Sequence, residues 1–210
     1  MKNYEELSKV HFDAQAAVYD STDTVYYSKY PKISCADVSK RLKNVAFSKM
    51  LDIGCGTGFL IDLLRREHNG VYFGLDLSPE MPNAAKKRLG NGVYLTRGSA
   101  LSLSYSNGVF DVVTCIQSFH HYPDPKKAMA EAYRVTAPGG LYIISDTGCS
   151  GLAKWLDNHV VLKLSKAGDF AAYSRTDIER MMQDSGFVIK ESVQITKFIY
   201  TIVAAKANKS

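Results

Sequence analysis

Three glycines alternate with other residues in the run Leu51-Asp52-Ile53-Gly54-Cys55-Gly56-Thr57-Gly58, which stands between a strand-like and a helix-like apolar segment. Glycine lets the chain turn tightly and lets a ligand touch the backbone, because no Cβ stands in the way. The following helix offers unpaired N–H groups and the positive end of its dipole to a polar ligand. The run therefore predicts a nucleotide-type cofactor site at the carboxyl end of the first strand.

Two carboxylates discriminate between two classes of cofactor. Asp52 stands two residues before the first glycine, where it can accept a hydrogen bond from an amino group and would repel a pyrophosphate. Asp76 ends the second apolar run, where a carboxylate can accept from both hydroxyls of a ribose. The dinucleotide fingerprint needs a third glycine or an alanine at position 59, and this chain has Phe59 there. The combination favours a nucleoside that carries an amino acid over a dinucleotide.

Two adjacent histidines, His120 and His121, follow the fourth apolar run and precede Asp124. An imidazole at the mouth of such a site can take a proton from a hydroxyl, amine or thiol near neutral pH, so His120 is the candidate catalytic base. The alternative is a packing role, with one ring buried and the other bonded to the backbone. Neighbouring histidines on one segment rarely face one ion together, so we predict no metal site.

Short apolar runs alternate with helix-like segments from Val45 onwards. Near-continuous apolar runs are typical of parallel strands that are covered on both faces, and their alternation with helices predicts a doubly wound α/β sheet. The two last runs are too close for a crossover helix, so we expect them to be antiparallel. The predicted strands cover 50–53, 71–75, 93–95, 110–115, 141–144, 187–189 and 198–204, and the predicted helices cover 59–68, 81–89, 125–136 and 174–184.

Two further segments have helical periodicity. The N-terminal region, which Pro31 interrupts, contains tyrosines that either form an aromatic lid over a cationic ligand or pack as half-buried helix faces. These tyrosines are Tyr19, Tyr26, Tyr27 and Tyr30. An amphipathic segment around Trp155 follows the fifth strand, and it either caps a substrate pocket or docks on the core.

The composition is that of an ordinary globular protein, with 210 residues, 46% hydrophobic residues and a net charge of +5. A chain of this length buries a core without disulfides or metals. Its four cysteines are widely separated, which favours a reducing compartment, the cytoplasm. No apolar run approaches the roughly 18 residues that a membrane helix needs, so no membrane insertion is expected. The charge excess is too small and scattered to predict a nucleic-acid partner.

Five motifs, in order along nearly the whole chain, resemble the class I S-adenosylmethionine-dependent methyltransferases. The resemblance is to the small-molecule branch that includes the ubiquinone- and menaquinone-type enzymes. The motifs are the glycine loop, Asp76-Leu77-Ser78-Pro79-Glu80-Met81, Phe110-Asp111-Val112-Val113, Arg134-Val135 with Pro138-Gly139-Gly140, and His11-Phe12-Asp13 with Ala16 and Tyr19-Asp20.

This resemblance implies a seven-stranded, mostly parallel Rossmann-like sheet in the order 3-2-1-4-5-7-6, with the last strand antiparallel. It also implies one methyltransferase domain, residues 1–210. We divide that domain into an N-terminal helical lid (1–44), a cofactor-binding core (45–146), a helical substrate cap (147–175), and the final helix and strands (176–210).

The resemblance further implies how the residues would bind S-adenosylmethionine. The three loop glycines would approach the methionine part, with Asp52 near its amino group, and Asp76 would hold the ribose hydroxyls. The remaining contacts would surround the adenine, the sulfonium and the substrate. Besides Asp52 and Asp76, the full set of predicted cofactor-binding residues, loop glycines included, is Tyr19, Gly54, Cys55, Gly56, Gly58, Leu77, Met81, Ser99, Ala100, Gln117 and Ser118. Many relatives carry an aspartate where Ser99 stands, and a serine is a weaker acceptor for the adenine amino group.

The sequence thus predicts a methyltransferase that moves a methyl group to an unidentified small-molecule acceptor by in-line displacement, with S-adenosylhomocysteine as product. Alignment of the reactants and exclusion of water would supply most of the rate. An RNA or protein methyltransferase on the same fold is one alternative. This alternative predicts a continuous basic face. Enzymes that methylate amino groups of bases often carry an Asn-Pro-Pro-Tyr type tetrapeptide after the fourth strand, where this chain has Ile116-Gln117-Ser118-Phe119. The other alternative is a non-catalytic cofactor-binding protein, and the presence of both Asp52 and Asp76 argues against it.

Overall fold

A computed structural model describes residues 3–19, 29–162, 165 and 167–208. The predicted lid residues Tyr26 and Tyr27, and Asp20 of the N-terminal motif, lie outside these described residues.

Seven strands form one sheet. They are β1 Lys49–Ile53, β2 Val71–Asp76, β3 Val93–Arg97, β4 Phe110–Ile116, β5 Thr136–Thr147, β6 Phe187–Gln194 and β7 Ile199–Lys206. Their order in the sheet is β3-β2-β1-β4-β5-β7-β6. The first four pairings in this order are parallel, and β7 runs antiparallel to both β5 and β6. The predicted strand order and the antiparallel last strand are therefore confirmed.

The helices follow the predicted alternation. They are α1 Tyr4–Gln15, α2 Tyr30–Leu42, α3 Phe59–Leu64, α4 Glu80–Leu89, α5 Pro125–Val135, α6 Gly151–Leu156 and α7 Arg175–Asp184. A 3₁₀ turn covers Phe119–His121, and a π-helical turn, Asp157–Val161, continues α6.

Local sequence chemistry fixes the ends of two of these helices. The Ser174 hydroxyl accepts from the backbone N–H of Asp177, whose carboxylate accepts in return from the backbone N–H of Ser174 at 2.7 Å. This reciprocal capping box starts α7. The Asp124 carboxylate accepts from the backbone N–H of Lys127 at 3.0 Å and starts α5, with Pro125 at the first helical position. Asp124 therefore has a capping role instead of facing the histidine pair.

Two boundaries differ from the sequence prediction. Pro31 does not interrupt a helix but lies in the first turn of α2, where its missing N–H would have had no helical partner. β5 starts at Thr136 instead of Leu141, because Thr136 already pairs with Phe110 of β4 and a bulge then brings Leu141 opposite Val112. Gly140 makes this possible: a Cβ there would lie 2.9 Å from the carbonyl oxygen of Asp111.

Apolar side chains fill both faces of the sheet, as parallel strands require. On one face, α5 and α7 bury Met129 and Met182 against the strands. On the other face, α2, α3 and α4 bury Val38, Ile61 and Leu89. The parallel pairing of β1, β2, β4 and β5 brings their carboxyl ends to one open edge of the sheet, where α1 and the segment after β5 can cover them.

Within the part of the chain that the structure describes, no helix combines the length and the apolar character needed to span a bilayer. None of the four cysteines, all of which the structure describes, forms a disulfide bond, and Cys35, Cys55 and Cys115 are buried.

Candidate active site

The carboxyl ends of β1, β2 and β4 form one wall of a cavity, and α1 forms the opposite wall. Most of the predicted cofactor residues line it: Tyr19, Gly54, Gly56, Asp76, Leu77, Met81, Ser99, Ala100, Gln117 and Ser118. An adjoining cavity beside α2 and the glycine loop is lined by Asp52 and Cys55. The structure thus brings the predicted cofactor residues together, with the exception of Gly58, which lines neither cavity.

Asp76 is held rigidly at the end of β2. Its Oδ2 accepts from the backbone N–H of Gly56 at 2.9 Å, and its Oδ1 accepts from the backbone N–H of Ser78 at 3.0 Å. Burial raises the pKa of Asp76 to about 6, against the opposing effect of these backbone donors. A Cβ built on Gly56 would meet no atom within 4 Å, so space beside this carboxylate is open. A fixed carboxylate next to an open glycine backbone fits the ribose of a nucleoside.

Asp52 is 2% exposed, and its Oδ1 accepts from the Thr114 hydroxyl at 2.7 Å. Burial, with a smaller contribution from the charge of Asp76, raises the pKa of Asp52 to about 7. A cationic amino group in the adjoining cavity would stabilise the ionised form of this carboxylate. The pair of acids therefore fits a ligand with a ribose at one end and an ammonium group at the other.

The loop after β4 approaches the glycine loop very closely. A Cβ on Gly54 would lie 2.1 Å from the Ser118 hydroxyl oxygen, so only glycine fits there. Gln117 has a φ of +50°, which is a strained backbone conformation for a residue with a side chain. Its side-chain amide donates to the Ser34 hydroxyl at 2.9 Å and so holds α2 against this loop.

A larger cavity of about 700 Å³ adjoins the cofactor cavity. Four residues line both: Phe12, Tyr19, Gln117 and His121. The segment after β5 supplies much of the remaining wall, including Leu156 and Val161, whereas Trp155 is exposed and stacks on His159. A volume of this size holds a small molecule.

His120 faces the larger cavity with a fixed ring. Its Nδ1 lies 2.7 Å from Oδ1 of Asp146, and its backbone N–H donates to Oδ2 of the same carboxylate at 3.1 Å. Asp146 is 1% exposed. The other ring nitrogen, Nε2, lies 3.7 Å from Oδ1 of Asp169. Burial alone would lower the pKa of His120, but the carboxylates of Asp146 and Asp169 outweigh it and raise that pKa above its ordinary value.

His121 differs from its neighbour in its electrostatics. It is 8% exposed, and its Nδ1 lies 3.4 Å from Oδ1 of Asp169 without a hydrogen-bond partner among the described residues. Burial and the adjacent charge of His120 lower the pKa of His121 to about 3, so it is neutral at physiological pH. The ligand atoms of His120, His121 and Asp169 lie within 4.8 Å of one another, closer than the sequence led us to expect.

Sequence reasoning missed both carboxylates beside His120. Asp146 could have been predicted from the sequence, because an acid near the end of a buried central strand lies at the same edge of the sheet as the other site residues. Asp169 could not have been predicted, because only the fold of the segment after β5 brings it to the histidines.

Comparison with known proteins agrees with this geometry. Residues 51–144 match the family model described as a methyltransferase domain. A demethylmenaquinone methyltransferase of Lactococcus lactis is 29% identical over 151 residues, which cover 69% of this chain and 60% of that protein. A ubiquinone biosynthesis O-methyltransferase of Thiobacillus denitrificans is 30% identical over 162 residues, which cover 72% of this chain and 69% of that protein. The chain belongs to the class I S-adenosylmethionine-dependent methyltransferases.

One solved structure with the same fold is the phosphoethanolamine N-methyltransferase 2 of Haemonchus contortus, in complex with S-adenosyl-L-methionine. It has a TM-score of 0.79 and 17% identity, and the match covers 99% of the present chain and 61% of the Haemonchus chain. The chain spans about three fifths of the length of its Lactococcus relative.

Gly58 lies where two helices pack closely together. It precedes α3 with a φ of +75°, and a Cβ there would lie 2.7 Å from Cδ1 of Leu89 and 3.2 Å from Cβ of Ala85. Its lack of a side chain therefore lets α3 pack against α4. Gly56, by contrast, faces open space beside Asp76.

We expect Gly58→Ala to damage folding and Gly56→Ala to damage binding. Gly58→Ala should lower the free energy of unfolding by about 2–4 kcal/mol, because left-handed strain and overpacking add. Gly56→Ala should lower it by only about 1–2 kcal/mol, from strain alone, but its methyl group would enter the cofactor cavity. Urea denaturation and calorimetry with S-adenosylhomocysteine measure the two effects. Equal stability of the two variants would contradict the packing role of Gly58.

Proposed function

We propose that the chain methylates a small-molecule acceptor with S-adenosylmethionine. The observation that carries this proposal is the junction of two cavities of different character at Gln117 and His121. The first cavity, together with the adjoining cavity that Asp52 lines, has the acids and glycines suited to an amino-acid nucleoside. The larger cavity, of about 700 Å³, has room for an acceptor. When bound, the cofactor supplies a methyl group on a cationic sulfonium, which is electrophilic.

The residues of the first cavity, and Asp52 of the adjoining cavity, would bind and orient the cofactor. Asp76 would accept from the ribose hydroxyls, and Asp52 would pair with the amino group, directly or through water. Phe12 and Tyr19, which line both cavities, would close the junction against water. Alignment of the acceptor with the methyl group, in the absence of competing water, would supply most of the rate.

His120 would remove the acceptor's proton. Because its Nδ1 faces the buried carboxylate of Asp146, the tautomer with Nδ1–H is favoured and Nε2 is left with a lone pair. An acceptor in the larger cavity could therefore give its proton to Nε2, and Asp146 would stabilise the resulting imidazolium. This arrangement suits an acceptor with an acidic hydroxyl on a ring, which the relative named as an O-methyltransferase supports.

The surroundings of the larger cavity favour a small molecule over RNA or a protein as the acceptor. Its walls come from α1, from the loop that carries His120 and His121 (the histidine loop) and from the segment after β5. They include the apolar side chains of Phe12, Leu156, Val161 and Phe198. Four cysteines that form no disulfide bond in the described structure support a reducing compartment, and we propose the cytoplasm.

Transfer of a labelled methyl group would test the proposal. The protein is incubated with methyl-labelled S-adenosylmethionine and, separately, a small-metabolite extract, stripped RNA and a protein fraction. We expect label in an organic-soluble small molecule, and none with Asp76→Ala. Label in RNA or protein alone would replace the proposed acceptor class, and no binding of S-adenosylhomocysteine to the wild type would overturn the proposed cofactor.

A further inference from the structure

The carboxylate of Glu5, in α1, lies next to Ser99, the position at which many relatives carry an aspartate. Ser99, at the predicted adenine edge, donates its hydroxyl proton to Oε1 of Glu5 at 2.5 Å. The same hydroxyl accepts from the backbone N–H of Leu101 at 3.0 Å. Glu5 and Ser99 are 94 residues apart in sequence, and both line the cofactor cavity.

We propose that Glu5 recognises the adenine of the cofactor by accepting a hydrogen bond from its exocyclic amino group. This inference rests on the proposed cofactor. Ser99 alone is a poor acceptor, because its one proton is directed to Glu5 and a lone pair already accepts from Leu101. The Ser99 hydroxyl instead fixes Glu5 by one oxygen, and Oε2 is not used in that contact. A carboxylate is about twice as strong an acceptor as a neutral oxygen.

The position of Glu5 suits this role. It lies in the first turn of α1, where the helix dipole favours a negative charge. The rest of α1 is anchored on the same cavity edge, since the Ser78 hydroxyl donates to Oδ1 of Asp13 at 2.6 Å. Glu5 can therefore stand at the adenine edge only while α1 covers the cavity.

This geometry couples recognition of the base to closure of the site. Further along α1, Phe12 places its ring edge-on to His121, with ring centroids 5.1 Å apart. At the start of the helix, Tyr4 makes a similar contact with Phe170 of the segment after β5. An adenine amino group that binds Glu5 would hold α1 in place, and α1 in turn contacts both the histidine loop and the substrate cap.

A pair of ligands that differ only in the base would test the role of Glu5. S-adenosylhomocysteine carries an amino group at position 6 of the purine, and S-inosylhomocysteine carries a carbonyl oxygen that a carboxylate repels. We expect Glu5→Ala to weaken binding of the adenine ligand by about 10- to 100-fold, as loss of a hydrogen bond to a charged group implies. Binding of the inosine ligand should stay the same or become tighter. Calorimetry measures both affinities.

Glu6→Ala is the matched control, because Glu6 is the next residue of α1, is more than half exposed and pairs with Lys9. It removes the same charge and should leave both affinities unchanged. Ser99→Asp in the Glu5→Ala background should restore most of the lost adenine affinity, since it returns a carboxylate to the same edge. Circular dichroism checks the fold of each variant, and Glu5→Gln, which keeps the length of the side chain, replaces any Glu5→Ala protein that does not fold.

Three results would overturn the proposal: equal weakening of both ligands by the Glu5 variant, no weakening of either, or no rescue by Ser99→Asp. Equal weakening would mean that Glu5 acts only through the docking of α1. A wild type that binds neither ligand would instead contradict the proposed cofactor itself, so the two failures are distinguishable.

Discussion

Asp76→Ala should weaken binding of S-adenosylhomocysteine by at least about 100-fold, which is the largest effect on binding that we expect from a single substitution. Two ribose hydroxyls donating to one carboxylate make two charge-assisted hydrogen bonds, each worth about 1.5–3 kcal/mol, and tenfold in affinity corresponds to about 1.4 kcal/mol. Calorimetry measures the loss. Asp184→Ala, at the exposed end of α7, removes an equal charge away from the cavity and should have no effect.

The raised pKa of Asp76 makes the same residue a source of pH-dependent stability. Burial raises this pKa from 3.8 to about 6, so the folded protein binds the proton more tightly than the unfolded chain does. The resulting stability is fully present below the unfolded pKa and is lost as the pH rises through about 6. Relative to Asp76→Asn, the wild type without cofactor should therefore gain stability between pH 7.5 and pH 5, by urea denaturation. A constant difference between the two proteins would contradict the burial of an ionisable carboxyl group.

The ionisation of Asp76 also sets the pH dependence of binding. Only the charged carboxylate accepts from two hydroxyl groups, because the protonated form must use one oxygen as a donor. Affinity for S-adenosylhomocysteine should therefore fall as the pH drops below about 6. This dependence should be absent from the residual binding of Asp76→Asn.

Local sequence patterns were enough to predict which residues gather around the first cavity and the cavity beside it. The glycine loop and Asp76 lie next to buried apolar strands, and parallel strands bring their carboxyl ends to one edge of the sheet. Gly58 shows the limit of such reasoning. It belongs to the same motif as Gly56, but only the packing of α3 against α4 shows that its missing side chain makes room for Leu89.

The surroundings of the larger cavity were less predictable, because the contacts there are long-range. His120 could be singled out from the sequence, but its environment depends on Asp146, which is 26 residues away, and on Asp169 from the segment after β5. The contact between Glu5 and Ser99 spans 94 residues and depends on how α1 lies over the sheet. Helical periodicity predicted that α1 exists, but it does not determine where an amphipathic helix docks.

His120→Ala should lower kcat by about 10²- to 10⁴-fold, the usual contribution of a positioned acid or base, and leave S-adenosylhomocysteine affinity nearly unchanged. His120 lines the larger cavity only, so its loss affects the acceptor and not the cofactor. The rate is measured with the acceptor identified by label transfer. A matching loss of cofactor affinity would mean that His120 supports the fold of the site instead of removing a proton.

The pH profile of Asp146→Asn separates a proton-accepting His120 from a merely packed one. Burial lowers the pKa of His120 and the charges of Asp146 and Asp169 raise it, so removal of the Asp146 charge should move the acidic limb of kcat to lower pH. His121→Ala is the comparison, because a ring with a pKa of about 3 does not titrate in this range and the limb should stay in place. An unmoved limb in Asp146→Asn would exclude His120 as the titrating base.

A metal ion and a proton cannot both occupy the lone pair of His120 Nε2, and the close approach of His120, His121 and Asp169 makes this competition testable. If His120 is the base, dialysis against EDTA should leave kcat unchanged, and added Zn²⁺ should inhibit by binding the same nitrogen. Loss of activity on dialysis, restored by Zn²⁺ or Mn²⁺, would instead mean that the two histidines and the carboxylate hold an ion. Asp146 would then orient a metal ligand, as carboxylates behind metal-bound histidines do, and the ion would supply Lewis-acid chemistry that makes the acceptor's hydroxyl acidic enough to lose its proton to solvent.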